Sequence, residues 1–388
     1  MTAVASGQGW TDAHGLSDDA TSAAAPLDLF DGDADETHSP ARDAATTLID
    51  GHWRVGIDAS GAAPHQVVDL LRENAGAFAL DGRPGLIERE EMAIPLIDNA
   101  PLRPEPPRRA SPEKRAAMDA AIDKLLEWDA IEPSNSRTSF PVLMVKQRTQ
   151  WRFCVDYRNL NAVTVADRYP LPTTDAVFSV LTGRRWFSSL DAIKGYHQMR
   201  VKPTDLWKTA FTCHRGLFQY KTVPFGLRNA PACFQRLMDR ILGDLRWQQA
   251  FVYIDDTVIA TDTLEQHIDA LRILFGRAIA AGLRFSPSKC TFAVASLTLL
   301  GRKVSGAGVA IWTDRAKAVL DLARPVTLQD LYHALALFAY YRAFIPSFAE
   351  KAEPLTRLTR GWRYEQAEGR TRLVNIQGEP SSGFQGRA

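Results

Sequence analysis

Cysteine is scarce in this 388-residue chain: the four present, Cys154, Cys213, Cys233 and Cys290, form no C-x-x-C pair and have no histidine pair at zinc-binding spacing nearby. Neither a disulfide framework nor a zinc site is indicated, and the thiols read as reduced core residues in a reducing compartment. Long apolar runs are missing too. Nothing approaches the roughly 20 uninterrupted apolar residues that cross a bilayer, and the chain does not open on a basic segment followed by an apolar block. The expectation is a soluble intracellular protein, cytoplasmic or nuclear, with no membrane partner.

What the chain does have is enough for a globular fold: 45% of residues are hydrophobic, and the length suits one large or two ordinary domains. The formal net charge of +1 hides an asymmetry, because residues 1–60 hold 11 Asp and Glu against Arg42 and Arg54, whereas residues 101–250 hold 24 basic against 14 acidic side chains. A basic body suits a polyanionic partner, although an ordinary solvated surface accounts for the charge alone.

Residues 1–60, rich in Ala, Asp, Thr, Ser and Gly without an apolar period, are expected to be a disordered acidic leader. Residues 61–110 read as a strap that wraps rather than folds, with one short amphipathic helix at 64–80 and a proline-rich stretch after 94. Ser111 and Pro112 open a helix over 112–128 that carries Met118, Ile122, Leu125 and Leu126 at helical spacing. Two apolar runs, Phe140 to Lys146 and Trp151 to Asp156, predict a β-hairpin.

Beyond these, Trp186 to Asp191 predicts a strand, Ala192 to Met199 a short helix, and Thr209 to Thr212 with Phe218 to Thr222 paired strands. Asn229 caps a helix running to Leu242, a hairpin follows at 251–260, and a helix over 263–281 ends at Gly282. The order β, α, β, β, α around one sheet predicts an α+β protein that resembles the split ferredoxin-like arrangement.

Asp255 and Asp256 sit at the turn between two strongly apolar β arms, where a second adjacent carboxylate adds repulsion that a cation would relieve. Asp191 ends another strand that a split βαββ sheet can bring alongside. Three converging carboxylates suit Mg²⁺, which takes hard oxygen ligands and leaves positions for water and phosphates. Taken alone, the Asp pair is weak evidence, since Asp18 and Asp19 pair without any such setting and Asp191 could simply cap a helix.

The setting is more specific. From about Ile94 to Tyr364 the chain resembles the reverse transcriptases of gypsy-type LTR retrotransposons, in seven ordered blocks. They are Trp151-Arg-Phe-Cys-Val-Asp-Tyr-Arg-Asn-Leu-Asn161, Asp167-Arg-Tyr-Pro-Leu-Pro172, Phe187-Ser-Ser-Leu-Asp-Ala-Ile-Lys-Gly-Tyr-His-Gln-Met199, the run from Val223 to Met238, the Tyr-Ile-Asp-Asp hairpin, Leu283 to Cys290, and Tyr340-Tyr-Arg-Ala-Phe-Ile-Pro346.

That resemblance implies a right-hand polymerase. Fingers would occupy 111–185 with the start of the palm, a split βαββαβ palm 186–300, and a primer-grip hairpin, thumb and connection start 301–364; 365–388 resembles nothing nameable. The activity implied is RNA-directed DNA synthesis by two-metal phosphoryl transfer, with Mg²⁺ (or Mn²⁺), deoxynucleoside triphosphates and a primed RNA or DNA template as partners. Asp191 and Asp255 would hold both ions, Asp256 would support one, and the Ala192 carbonyl would complete a site. Tyr196 would act as a steric gate against ribose, Phe225 and Gly226 would line the nucleotide pocket, and Arg152 with Lys146 would clasp the triphosphate. Lys289 would protonate the departing pyrophosphate and Arg158 would touch the template, while His197 and His267 read as structural.

Departures from the family pattern keep a second reading open. The hairpin tip Gln147-Arg-Thr-Gln150 is short and lacks the usual Lys-rich Asp-Gly, Arg302 stands where His is usual, and Asp58-Ala-Ser-Gly61 is not a protease triplet. The chain therefore looks like a polyprotein fragment, and a catalytically silent remnant that only binds nucleic acid is the alternative. A simple ferredoxin-like RNA-binding domain is less well supported, because it would present stacking aromatics rather than carboxylates.

Overall fold

The computed structural model describes residues 45–58, 60–97, 101–147, 150–253, 256–300, 302–311, 321–367 and 370–375. Its centre is a six-stranded sheet in the order Thr46–Ile49, Trp53–Gly56, Thr291–Val294, Trp186–Asp191, Asp256–Thr261, Ala250–Tyr253. The last four strands, with helices Ala230–Leu242 and Leu264–Ala281 between them in sequence, make a βαββαβ unit whose strands run fourth, first, third, second across the sheet. The expected split ferredoxin-like topology is thus present, and both helices pack on one face.

Local chemistry accounts for several helix ends. Thr263 Oγ1 accepts from Gln266 N at 3.3 Å to start the second helix, and Gly282, at φ +81°, ends it. Ser111 Oγ caps Pro112–Glu127 by accepting from Lys114 N at 3.4 Å, and that helix buries Met118, Ile122 and Leu125. Asn229 differs from expectation: its side chain caps nothing but grips the distant loop at 165–167, accepting from Asp167 N and donating to Val165 O.

A five-stranded sheet carries the predicted hairpin Phe140–Gln147 and Gln150–Val155 beside Phe211–Cys213, Gly216–Tyr220 and Ile131–Pro133. The expected strand starting at Thr209 begins two residues later, because Thr209 still belongs to the preceding turn and donates to Leu206 O. The expected helix over 192–199 shrinks to a single 3₁₀ turn, Gly195–Gln198, since Lys194 adopts a left-handed conformation at φ 47°.

The expectations for the strap and for the end of the leader need correction; residues 1–44 of the leader lie outside the described residues. Residues Thr46–Ile49 and Trp53–Gly56 form a hairpin whose second strand runs parallel to Thr291–Val294, and Trp53 and Val55 are buried. Gly56 fits only without a side chain, because a Cβ there would lie 2.2 Å from Ala293 O. Helix His65–Glu73 buries Val67, Leu70 and Leu71, so this segment folds onto the body rather than merely wrapping it. Edge-to-face contacts among Trp53, Phe78, Phe275 and Phe292 bind it there.

The opposite face of the central sheet is covered by helix Thr174–Leu181 and the three-stranded sheet Ser296–Leu299, Arg302–Ser305, Gly308–Ile311. Helices Leu328–Tyr340 and Phe348–Thr359 follow, then a hairpin, Trp362–Ala367 with Arg370–Asn375, that takes up part of the tail left without a reading. All four cysteines are free thiols, as expected. Among the described residues no helix is long and apolar enough to cross a membrane.

Candidate active site

Side chains alternate across a strand, so the two cores identify what each residue of Trp186–Asp191 faces. Leu190 joins the core under the two long helices and Phe187 the core on the other face, which sends Asp191 out on the Phe187 side at the strand's end. On the neighbouring strand Val258 and Ala260 share that side, and with them Asp256. The register makes Asp256 and Asp191 direct cross-strand partners. Asp255, the remaining predicted carboxylate, lies outside the described residues.

Two carboxylates directly opposite one another repel at close range. Asp191 is also largely buried, its side chain 18% exposed, with Lys289 Nζ 3.8 Å from its Oδ1. Burial pushes its carboxyl up to about 7; Lys289 pulls the other way and Asp256 adds to the rise. A buried acid that resists ionisation, faced by a second carboxylate, has the donor chemistry a divalent cation satisfies. These residues therefore fit such an ion. Lys194, close by, has its ammonium lowered to about 8 by burial and by Lys289.

Several residues missed as site elements hold this corner together. Gln198 is fully buried; its amide donates to Ile193 O and Arg284 O, each at 2.8 Å, and accepts from Arg284 N at 2.8 Å. It thereby pins the turn after Asp191 to the segment leading to Lys289. Gln235 holds helix Ala230–Leu242 to the hairpin by donating to Val252 O at 3.1 Å. Beneath the sheet, His267 Nε2 lies 2.6 Å from Ser188 Oγ and Nδ1 3.0 Å from Thr261 Oγ1.

Residues 144–304 match the family model described as reverse transcriptase (RNA-dependent DNA polymerase). The Pol polyprotein of the Drosophila melanogaster transposon opus is 34% identical over 253 residues, 64% of this chain and 25% of the relative. That of the Drosophila transposon gypsy is 31% identical over 278 residues, 69% of this chain and 26% of the relative. The matched segment is a reverse transcriptase domain of the LTR-retrotransposon kind. Among solved structures, foamy viral protease-reverse transcriptase bound to double-stranded DNA superposes with a TM-score of 0.70 at 20% identity, covering 84% of this chain and 64% of that one. The same enzyme with an RNA/DNA hybrid gives 0.68 at 23% identity, covering 78% and 40%. The fold is therefore the α+β right-hand polymerase fold, and the chain spans about a quarter of the length of its curated relatives.

Within this reverse transcriptase domain the expected pocket residues converge in part. Tyr196 is buried, its ring 5.1 Å from that of Phe225 and 5.6 Å from Phe234. Gly226 follows at φ +91°, where glycine is at ease, and its carbonyl accepts from Asn161 Nδ2 at 2.7 Å. Ala192 is buried and bridges to Phe285.

The triphosphate clasp is not assembled as expected. The tip pairs Gln147 with Gln150, which sets Lys146 opposite Trp151 and Arg152 opposite Val145. Adjacent pairs point to opposite faces, so Lys146 and Arg152 are on different sides of the hairpin. Lys146 turns instead to the Trp151 ring, 5.7 Å from its centroid, which Lys114 also approaches at 5.4 Å.

Arg158 is exposed and braced by a fork on Asp156, with Nε 2.7 Å from Oδ1 and Nη2 2.7 Å from Oδ2. Asp156 is itself buried and also takes Arg108 at 2.6 Å. His197 and His267 are both buried, in keeping with the structural reading.

Proposed function

We propose that this chain is the polymerase part of a reverse transcriptase, adding deoxynucleotides to a primer 3′-hydroxyl on an RNA or DNA template. The observation that carries the proposal is the cross-strand pairing of Asp191 with Asp256 at the end of a βαββαβ sheet. Asp191, Asp255, Asp256 and the Ala192 carbonyl would hold two Mg²⁺ ions. When bound, such ions lower the cost of charge on the attacking and leaving oxygens of an in-line phosphoryl transfer.

The chain's own groups do the rest. Phe225 and Gly226 bound the nucleotide pocket, and Tyr196, braced by Phe225 and Phe234, sets the size limit at the sugar. Arg152 supplies a forked cation to the triphosphate; Lys146, on the other face, is not retained in that role. Lys289 stands near enough to Asp191 to work in the same site and is assigned proton donation to the leaving pyrophosphate. Arg158 is assigned to the template backbone.

Purified protein should extend a DNA primer on an RNA template in the presence of Mg²⁺. Asp191→Asn and Asp255→Asn should each reduce the rate by about 10³-fold while primer-template binding persists. Binding without extension by the unaltered chain would instead favour the silent remnant, and extension indifferent to both substitutions would remove the site assignment.

A further inference from the structure

Arg302, the departure noted in the sequence, is buried to 8% exposure although it carries a permanent charge. Its guanidinium carbon lies 4.7 Å from the ring centroid of Phe178, 5.2 Å from Phe344 and 5.7 Å from Tyr340. These rings come from three places: Phe178 from the helix covering the central sheet, Tyr340 from the end of helix Leu328–Tyr340, and Phe344 from the turn after it.

Two residues before Arg302, Leu300 O accepts from Tyr340 Oη at 2.5 Å. One bend of the three-stranded sheet is thus gripped twice by the C-terminal helices. The same sheet packs on the strand that ends in Asp191.

We propose that Arg302 is a positioning residue that latches the C-terminal helices to the active-site sheet through this three-ring cage, and so sets how firmly a primer-template is held. The proposal rests on the polymerase reading above. A guanidinium suits the role because it is planar and weakly hydrated, so it can stack on aromatic faces when buried, whereas an ammonium loses more hydration for less contact. It adds no group to the chemistry, so its effect should fall on primer-template affinity and not on the chemical step.

Arg302→Met keeps the length and removes the charge; Phe344→Leu removes one ring. Phe344→Leu should raise the primer-template KM by about tenfold, the loss of one desolvated cation–π contact, and Arg302→Met, which loses all three, by more than that, with kcat for single-nucleotide addition unchanged within about twofold in both. In the double variant the losses should fall short of additive, because both remove the same contact. Arg302→Lys, which retains charge and folding, should lie between Arg302→Met and the unaltered chain. An unchanged KM, additive losses, or an equal fall in kcat would overturn the proposal.

Should the unaltered chain extend no primer, the polymerase reading fails while the latch stays testable. Amide exchange over 328–340 should then accelerate in Arg302→Met and Phe344→Leu relative to the unaltered protein, and equal protection in all three would overturn the latch.

Discussion

Tyr196 is buried among aromatic rings, and the gate role proposed for it would make one side chain serve packing and selection together. Its ring is wedged between Phe234 and Phe225, which bounds the proposed pocket, so shortening it opens space towards both. Tyr196→Val should destabilise the fold by about 2–4 kcal/mol and raise the relative use of ribonucleotides by at least about tenfold. The ratio of kcat/KM for ribo- and deoxynucleotides measures this, and an unchanged ratio would remove the gate assignment. The convergence of Asp191 and Asp256 was readable in advance because both lie at the ends of strands that a split βαββ sheet brings alongside. The separation of Lys146 from Arg152 was not, since the face each occupies depends on how many residues the tip spends turning. Gln198 and Lys194 were hidden for another reason: a backbone break at Lys194 cannot be read from residue types that also suit a helix.

At the scale of elements, the strands and helix around His267 are joined by one directional chain of hydrogen bonds. Ala293 N donates to Ser188 Oγ, and Thr261 Oγ1 lies 3.0 Å from Thr263 O. The arrangement closes if Ser188 donates to Nε2 and Nδ1–H donates to Thr261, which needs a neutral ring. Burial holds the imidazole neutral down to about 3, against 6.5 for an ordinary histidine. The unfolded chain therefore takes up a proton that the folded chain refuses. The stability that His267 contributes should be full above about pH 6.5 and fall by up to about 1.4 kcal/mol per pH unit as the pH drops from there towards 3, and His197, also lowered to about 3 by burial, adds to the same limb. His267→Gln should lower stability at neutral pH and flatten the acid limb, measurable by urea melts; an unchanged limb would count against the network. The helices flanking this chain were legible from caps and apolar spacing. The hairpin at 46–56 was not, because Trp53 and Val55 are embedded in an acidic, small-residue composition that carries no period.

For the whole molecule, the relevant quantity is charge presented to a polyanion. Arg158, exposed and oriented by Asp156, should contribute one phosphate contact, so Arg158→Gln should reduce the slope of log affinity against log salt by about one without changing sequence preference. Titrations of labelled primer-template at several salt concentrations would report it, and an unaltered slope would reassign Arg158 to the fingers' own structure. The strand Trp53–Gly56 carries a different whole-molecule consequence. Its parallel partner Thr291–Val294 lies well over two hundred residues later. On a ribosome adding about 5–20 residues per second, the early hairpin must wait on the order of tens of seconds for that partner. Until it arrives, both the hairpin and the sheet present open backbone edges, so folding of this part of the chain is tied to the synthesis of Thr291–Val294 and is exposed to mispairing in the interval.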